Sequence, residues 1–173
     1  MIYIAIIVIG LILDRLTKAY AVKNLMNDPY QGSILNFTYL ENRGAAFGIL
    51  QDRRIFFIVL TLVIVLVLIY HFLKTYRSNH KLLNIALAMI ISGALGNFYD
   101  RLTQGYVVDF IEFAFVNFPV FNIADIFVTV GAGLLIIYMF KYEESSEIND
   151  SKYWKWLGYT SCWSMGYGIL SKS

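Results

Sequence analysis

The sequence predicts an all-α polytopic membrane protein with four transmembrane helices and a small extracytoplasmic β platform. Apolar residues make up 58% of its 173 positions, against about 45–50% in an ordinary soluble chain. Mean hydropathy is +0.61. The apolar excess is gathered into four runs, each near the roughly 17–25 residues that a spanning helix needs. Net charge is only +2, with no dense stretch of Lys and Arg, so nucleic acid is not an expected partner. The single cysteine, Cys162, excludes an intramolecular disulfide and a Cys-rich metal site.

The first run, Ile2–Val22, has no basic segment before it and continues into Asp14–Lys18 instead of a small-residue cleavage motif. It is therefore read as a retained helix, not a cleaved signal peptide. Ile34–Leu40 is rich in strand formers and leads into Gly44–Gly48. Ile55–Leu73 carries no charge and is the clearest span. Leu82–Phe98 follows, with Ser92, Gly93, Ala94 and Gly96 small enough for another helix to approach closely. Tyr106–Ile111 is a second short strand, and Phe113, Phe115, Phe118 and Phe121 then surround Pro119, as suits an interfacial loop. Ile123–Phe140 is the fourth span, with Gly131 and Gly133 in its middle.

Four spans place both termini on one side. Lys74, Arg77, Lys81 and Lys141 lie on that side and are nearly balanced by Lys23, Arg43, Arg53 and Arg54 on the other. The tail lysines Lys152, Lys155 and Lys172 tip the balance toward cytoplasmic termini. A division into a membrane domain, 1–142, and a polar and aromatic tail, 143–173, follows from the change in composition after Tyr142.

Ionisable groups inside spans each cost at least ~2.5–3.5 kcal/mol at the bilayer centre, so each needs an account. Asp14 and Lys18 are four apart and share a helical face. Asn97, Asp100 and Arg101 close the third span, while Asn122 and Asp125 open the fourth. If these two helices are antiparallel neighbours, both groups sit at one depth. Asp109 lies between them on the apolar strand Val107–Phe110, where desolvation should raise its pKa. Asp125 stands near a helix N-terminus, whose dipole favours an anion. Two such carboxylates can share a proton, one activating water while the other polarises a carbonyl. That chemistry hydrolyses an amide with neither cofactor nor metal.

Other readings stay open at this level. His71 and His80 lie at the charged turn opposite the clusters, away from any such site. Ser92 with Lys18 is a conceivable Ser–Lys pair, and several Asp and Asn oxygens could hold Mg²⁺. Asp14–Lys18 can be an internal structural pair, Asp100–Arg101 a fold-locking ion pair, and Asn42 simply a turn residue. A small proton- or ion-coupled transporter uses buried Asp and Lys in the same way, and a non-catalytic membrane subunit could use the polar clusters to bind partner helices.

Five segments together resemble the lipoprotein signal peptidases, or signal peptidase II. They are Asp14-x-x-Thr17-Lys18, Asn42-x-Gly44-Ala45-Ala46-Phe47, Gly93-Ala94-Leu95-Gly96-Asn97-x-x-Asp100-Arg101, Val107-Val108-Asp109-Phe110 and Phe121-Asn122-x-Ala124-Asp125. The resemblance runs through Phe140 and implies an aspartyl endopeptidase with Asp109 and Asp125 as its catalytic pair. It implies that Asn42, Gly44, Asn97, Arg101 and Asn122 hold the substrate or the pair, and that Asp14, Lys18 and Asp100 support the fold. The implied substrates are diacylglyceryl-modified prolipoproteins, cut just before the lipidated lipobox cysteine, and the implied inhibitor is the cyclic peptide globomycin. The implied setting is the bacterial cytoplasmic membrane, in contact with lipid, with both termini cytoplasmic and the active site near the outer leaflet. A monomer is expected. The tail beyond Tyr142 matches none of these motifs.

Overall fold

The computed structural model describes residues 1–44, 53–77 and 80–156. Its elements run α1 (Ile2–Tyr20), a π-helical turn (Ala21–Leu25), β1 (Leu35–Asn42), α2 (Arg54–Thr75), α3 (Lys81–Thr103), β2 (Val107–Phe113) and α4 (Ile123–Trp156). Met1–Leu135 form one compact unit. Of the second, Ile136–Ser173, the described part is the continuation of α4 to Trp156. Expecting the fourth helix to end at Phe140 followed the loss of apolar residues. Lys141–Trp156 contains no Gly or Pro, so nothing in that stretch breaks the helix.

Among the described residues three helices are long and apolar enough to cross a membrane: Arg54–Thr75, Lys81–Thr103 and Ile123–Lys141. The 19 residues of α1 are apolar apart from a few polar groups, chiefly Asp14, Arg15 and Lys18. At 1.5 Å per residue α1 is about 28 Å long.

The centre of the unit is α3, against which α1 and α2 both pack. Between helices in lipid, close packing and hydrogen bonds have to supply the attraction. The small residues of α3 allow that. A Cβ on Gly93 would overlap the Ala124 carbonyl oxygen of α4, and one on Gly96 would lie 2.6 Å from Asp14 Oδ2 of α1. Farther along, Gly131 of α4 faces Ile90 and the Ala86 carbonyl. Contacts thus run down α3 as they run up α4, so the two helices are antiparallel. At the far end of α3, buried Asn84 and Thr75 exchange hydrogen bonds across the α2–α3 turn. His71 and His80 lie at this same turn.

The strands form an antiparallel pair. Leu35 to Phe37 pair with Phe113 to Ile111, but Leu40 to Asn42 pair with Asp109 to Val107. One extra residue of β1 is therefore bulged between Phe37 and Leu40. Side chains alternate across a strand, so this one-residue step decides which face Asn42 occupies. With the bulge, Asn42 becomes a diagonal neighbour of Asp109 on the same face. Continued without it, the register would put the two on opposite faces. The platform is anchored by Val108, Phe110 and Ile111, which join Ala21 and Leu25 in a buried cluster.

Candidate active site

Three elements bring the two carboxylates together. Asp109 is carried by β2, where Val107–Ile111 are all buried, and is itself 2% exposed. The segment ahead of α4 pairs back onto the same strand: Phe121 N–H donates to Ile111 O at 2.9 Å, and Ile111 N–H returns a bond to Phe121 O. That pairing places the next residue, Asn122, beside Asp109. Asn122 is also the N-cap of α4. Its Oδ1 accepts the Asp125 N–H at 3.0 Å, and Asp125 Oδ2 accepts the Asn122 N–H at 3.1 Å. This reciprocal arrangement is a capping box built from Asn and Asp, so the Asn-x-x-Asp spacing sets the helix start and aims Asp125 together.

Side-chain amides link the pair. Asn122 Nδ2 donates to Asp109 Oδ1 at 2.6 Å, and Asn42 Nδ2 donates to Asp109 Oδ2 at 2.8 Å. From α3, Asn97 Nδ2 donates to Asp125 Oδ1 at 2.7 Å. Asn122 Nδ2 also lies 3.2 Å from Asn97 Oδ1, joining the two halves. Burial, and secondarily the neighbouring Asp125, push the Asp109 carboxyl up to about 7, although the amides of Asn42 and Asn122 favour its anion. Desolvation outweighs hydrogen bonding here because both Asp109 partners are neutral.

A cavity of about 430 Å³ opens on the pair. Its polar end is formed by Asn42, Arg101, Asp109 and Asp125, and its apolar walls include Phe113, Phe118, Phe121, Ile126 and Val130. Arg101 lies with its guanidinium 5.0 Å from the Phe57 ring and donates to Gly44 O at 3.2 Å. Gly44 N–H in turn donates to Asn42 Oδ1 at 3.0 Å. Asn42 is thus both a turn residue and a partner of Asp109. Ala45, Ala46 and Phe47 of the same motif, and Cys162 of the tail, lie outside the described residues.

Asp14, Lys18 and Asp100 sit behind this site, each at most 3% exposed. Lys18 Nζ is 2.9 Å from Asp14 Oδ1 and 2.7 Å from Asp100 Oδ2. Arg15, which the motif reading passes over, completes the cluster at 3.0 Å from Asp14 and 2.6 Å from Asp100. Two carboxylates and two cations make it neutral. Charge arithmetic is the signal that points to Arg15: with only Lys18 against Asp14 and Asp100, one buried anion would be left over. Arg54 is a second residue the motifs omit. From α2 it donates to Arg101 O at 2.9 Å and Leu102 O at 2.8 Å, closing the C-terminal turn of α3 where Arg101 sits. Ser92 forms no Ser–Lys pair, since its hydroxyl donates to Ile7 O at 3.0 Å.

Residues 6–141 match the family model described as signal peptidase (SPase) II. The chain is 47% identical over 144 residues to the lipoprotein signal peptidase of Clostridium tetani, covering 80% of this chain and 92% of that protein. It is 49% identical over 142 residues to that of Caldanaerobacter subterraneus subsp. tengcongensis, covering 78% and 95%. A bacterial membrane enzyme structure, solved by the in meso method at 2.3 Å resolution, superposes with a TM-score of 0.75 at 38% identity. That match covers 80% of this chain and 87% of the solved one.

Proposed function

The chain belongs to the signal peptidase II family of peptidases, and from that premise we propose that it cuts signal peptides from bacterial prolipoproteins with Asp109 and Asp125 as its catalytic pair. The observation that carries the reading is the amide-linked pair itself: two carboxylates from different elements, joined through Asn97 and Asn122, at the polar end of a largely apolar cavity.

In this reading the pair holds one proton up to about pH 7, with Asp109, whose burial pushes its carboxyl up to about 7, taken as the acid. The ionised partner takes a proton from water as the water oxygen bonds to the scissile carbonyl carbon. The protonated carboxyl donates to the carbonyl oxygen, which leaves a tetrahedral gem-diol. Collapse breaks the C–N bond, with a proton passing to the departing cysteine nitrogen, so the products are a free carboxylate and a free amine. Asn42 and Asn122 hold Asp109, and Asn97 and Asn122 hold Asp125. Arg101 lines the cavity, where its guanidinium can take a carbonyl of the extended substrate. Gly44 supplies the carbonyl that orients Arg101. No step requires a cofactor or metal.

The apolar cavity walls suit a substrate that arrives through the bilayer with a diacylglyceryl group already on its lipobox cysteine. In this reading α1 spans the membrane with the other three helices, its three charges neutralised within the protein, and both termini are cytoplasmic. The platform and the pair then lie near the outer leaflet. A cyclic peptide such as globomycin would occupy the same cavity, and in this reading the protein works as a monomer.

Mass spectrometry of products from matched lipobox peptides, with and without the diacylglyceryl group, tests the substrate. Cleavage of the lipidated peptide alone, immediately before its cysteine, supports the assignment. No cleavage of that peptide, or equal cleavage of both, refutes it.

A further inference from the structure

We propose that Lys18 is a positioning residue for the carboxylate pair, acting through Asn97. Its ammonium fixes the Asn97 amide in the one orientation that presents N–H to Asp125. This rests on Asp109 and Asp125 being the reacting pair.

An asparagine amide has two ends of nearly equal size, and its partners decide which end points where. Lys18 has only donors, so the group at 2.8 Å from its Nζ must be the Asn97 oxygen. That leaves the Asn97 Nδ2 for Asp125, at 2.7 Å. Lys18 cannot turn away, because its other contacts are Asp14 and Asp100 and its side chain is 3% exposed. The ion cluster thus reaches the active site through one amide. A positive charge on the Asn97 oxygen also polarises the amide and strengthens its N–H as a donor. Asn122 Nδ2 is a second donor to the same oxygen, at 3.2 Å, so losing Lys18 weakens the orientation without abolishing it. The expected effect is a fall in kcat on the order of tenfold, the worth of one charge-assisted hydrogen bond.

Fold support alone is a weak account of this ammonium, since buried ion clusters are often no more stabilising than apolar packing of the same volume. The two roles separate by restoring charge balance. Lys18→Met alone leaves Asp14 and Asp100 against Arg15. Lys18→Met with Asp100→Asn leaves Asp14 against Arg15, which is neutral again, but no cation faces the Asn97 oxygen.

The experiment follows lipopeptide cleavage across pH in detergent for the wild type, the double variant and Asn97→Ala, each assayed well below its own Tm. The charged groups facing Asp109 are Asp125 from α4, Arg101 from α3 and Lys18 from α1. Removing the Lys18 charge should therefore move the alkaline limb of the profile to higher pH. The inference expects the double variant to show that shift with kcat down about tenfold and KM little changed. Asn97→Ala, with the ion cluster intact, should lose at least as much kcat. A folded double variant with wild-type kcat and an unmoved profile overturns the inference. So does Asn97→Ala with wild-type kcat, whatever the Lys18 variants do. Asp109→Asn and Asp125→Asn in the same assay separate the two claims: if either cuts normally, the assignment of the pair fails instead.

Discussion

Replacing Asp109 by Asn should make the protein's stability less sensitive to pH, in a direction the structure sets. Asp109 is 2% exposed, and burial raises its carboxyl from an ordinary 3.8 to about 7. A carboxyl raised on folding stabilises fully below the unfolded value, and that contribution is lost as pH climbs through the folded value. The window is therefore about pH 4 to 7. Integrating over it, ionisation of Asp109 takes roughly 2.5 kcal/mol from the wild type between pH 5 and pH 8. The amide of the Asp109→Asn variant cannot ionise and escapes that loss. The variant gives up one accepted amide bond, because Asn42 and Asn122 both present N–H to this position, at about 1–2 kcal/mol independent of pH. It should be roughly level with the wild type at pH 5, where ionisation has already taken about 1.7 kcal/mol from the wild type, and gain on it as pH rises. The difference in Tm should swing by roughly 5–10 °C toward the variant by pH 8, for a chain of this size. Thermal melts of both proteins in one detergent at pH 5, 6, 7 and 8 read this directly. A Tm difference that stays flat across the series would refute the claim that desolvation dominates at Asp109.

Three further outcomes follow from the same geometry. kcat/KM for lipopeptide cleavage should fall as pH rises through about 7, because the shared proton is then lost from Asp109; a profile level to pH 9 would contradict this. Gly93→Ala should destabilise by about 1–3 kcal/mol, since its Cβ overlaps the Ala124 backbone oxygen, which cannot turn aside. Gly133→Ala, with no atom within 4 Å of its Cβ, should be neutral or stabilising by up to about 1 kcal/mol, and paired melts compare them. Asn122→Ala should lower stability by about 1–2 kcal/mol through loss of the α4 cap, and should also depress cleavage by freeing Asp109 and Asp125; wild-type kinetics in a destabilised Asn122→Ala would assign Asn122 to capping alone.

The parts of the molecule legible from sequence are those in which one strong cost acts locally. Apolar length marks α2, α3 and the start of α4, because a membrane leaves few alternatives for a run without charges. The expense of polar and ionisable groups in or beside such runs singles out Asp109, Asp125 and Asn97. The antiparallel packing of α3 on α4 then brings Asn97 to Asp125, as equal depth requires. What stays hidden depends on pairing between distant residues. The β1 bulge that turns Asn42 toward Asp109 is a register step, and strand propensity carries no register. Arg15 looks like an ordinary neighbour of Asp14 until folding brings Asp100, 85 positions away, to within 2.6 Å. Arg54 cannot be matched to the carbonyls of Arg101 and Leu102 without knowing that α2 lies beside the end of α3. The Asn122–Asp125 capping box is in plain view as an i, i+3 pair, but its spacing reads as chemistry before it reads as a helix start.

The central claim is that Asp109 and Asp125 together hydrolyse the peptide bond, and the most direct measurement is kcat for a diacylglyceryl-cysteine lipobox peptide. Wild type, Asp109→Asn and Asp125→Asn would be compared in mild detergent, with chelator present and each fold checked by melting. The account predicts chelator-resistant cleavage by wild type and a loss on the order of 10³-fold or more in each folded variant. Near-normal cleavage by either variant, or loss of wild-type activity on adding chelator, would contradict it.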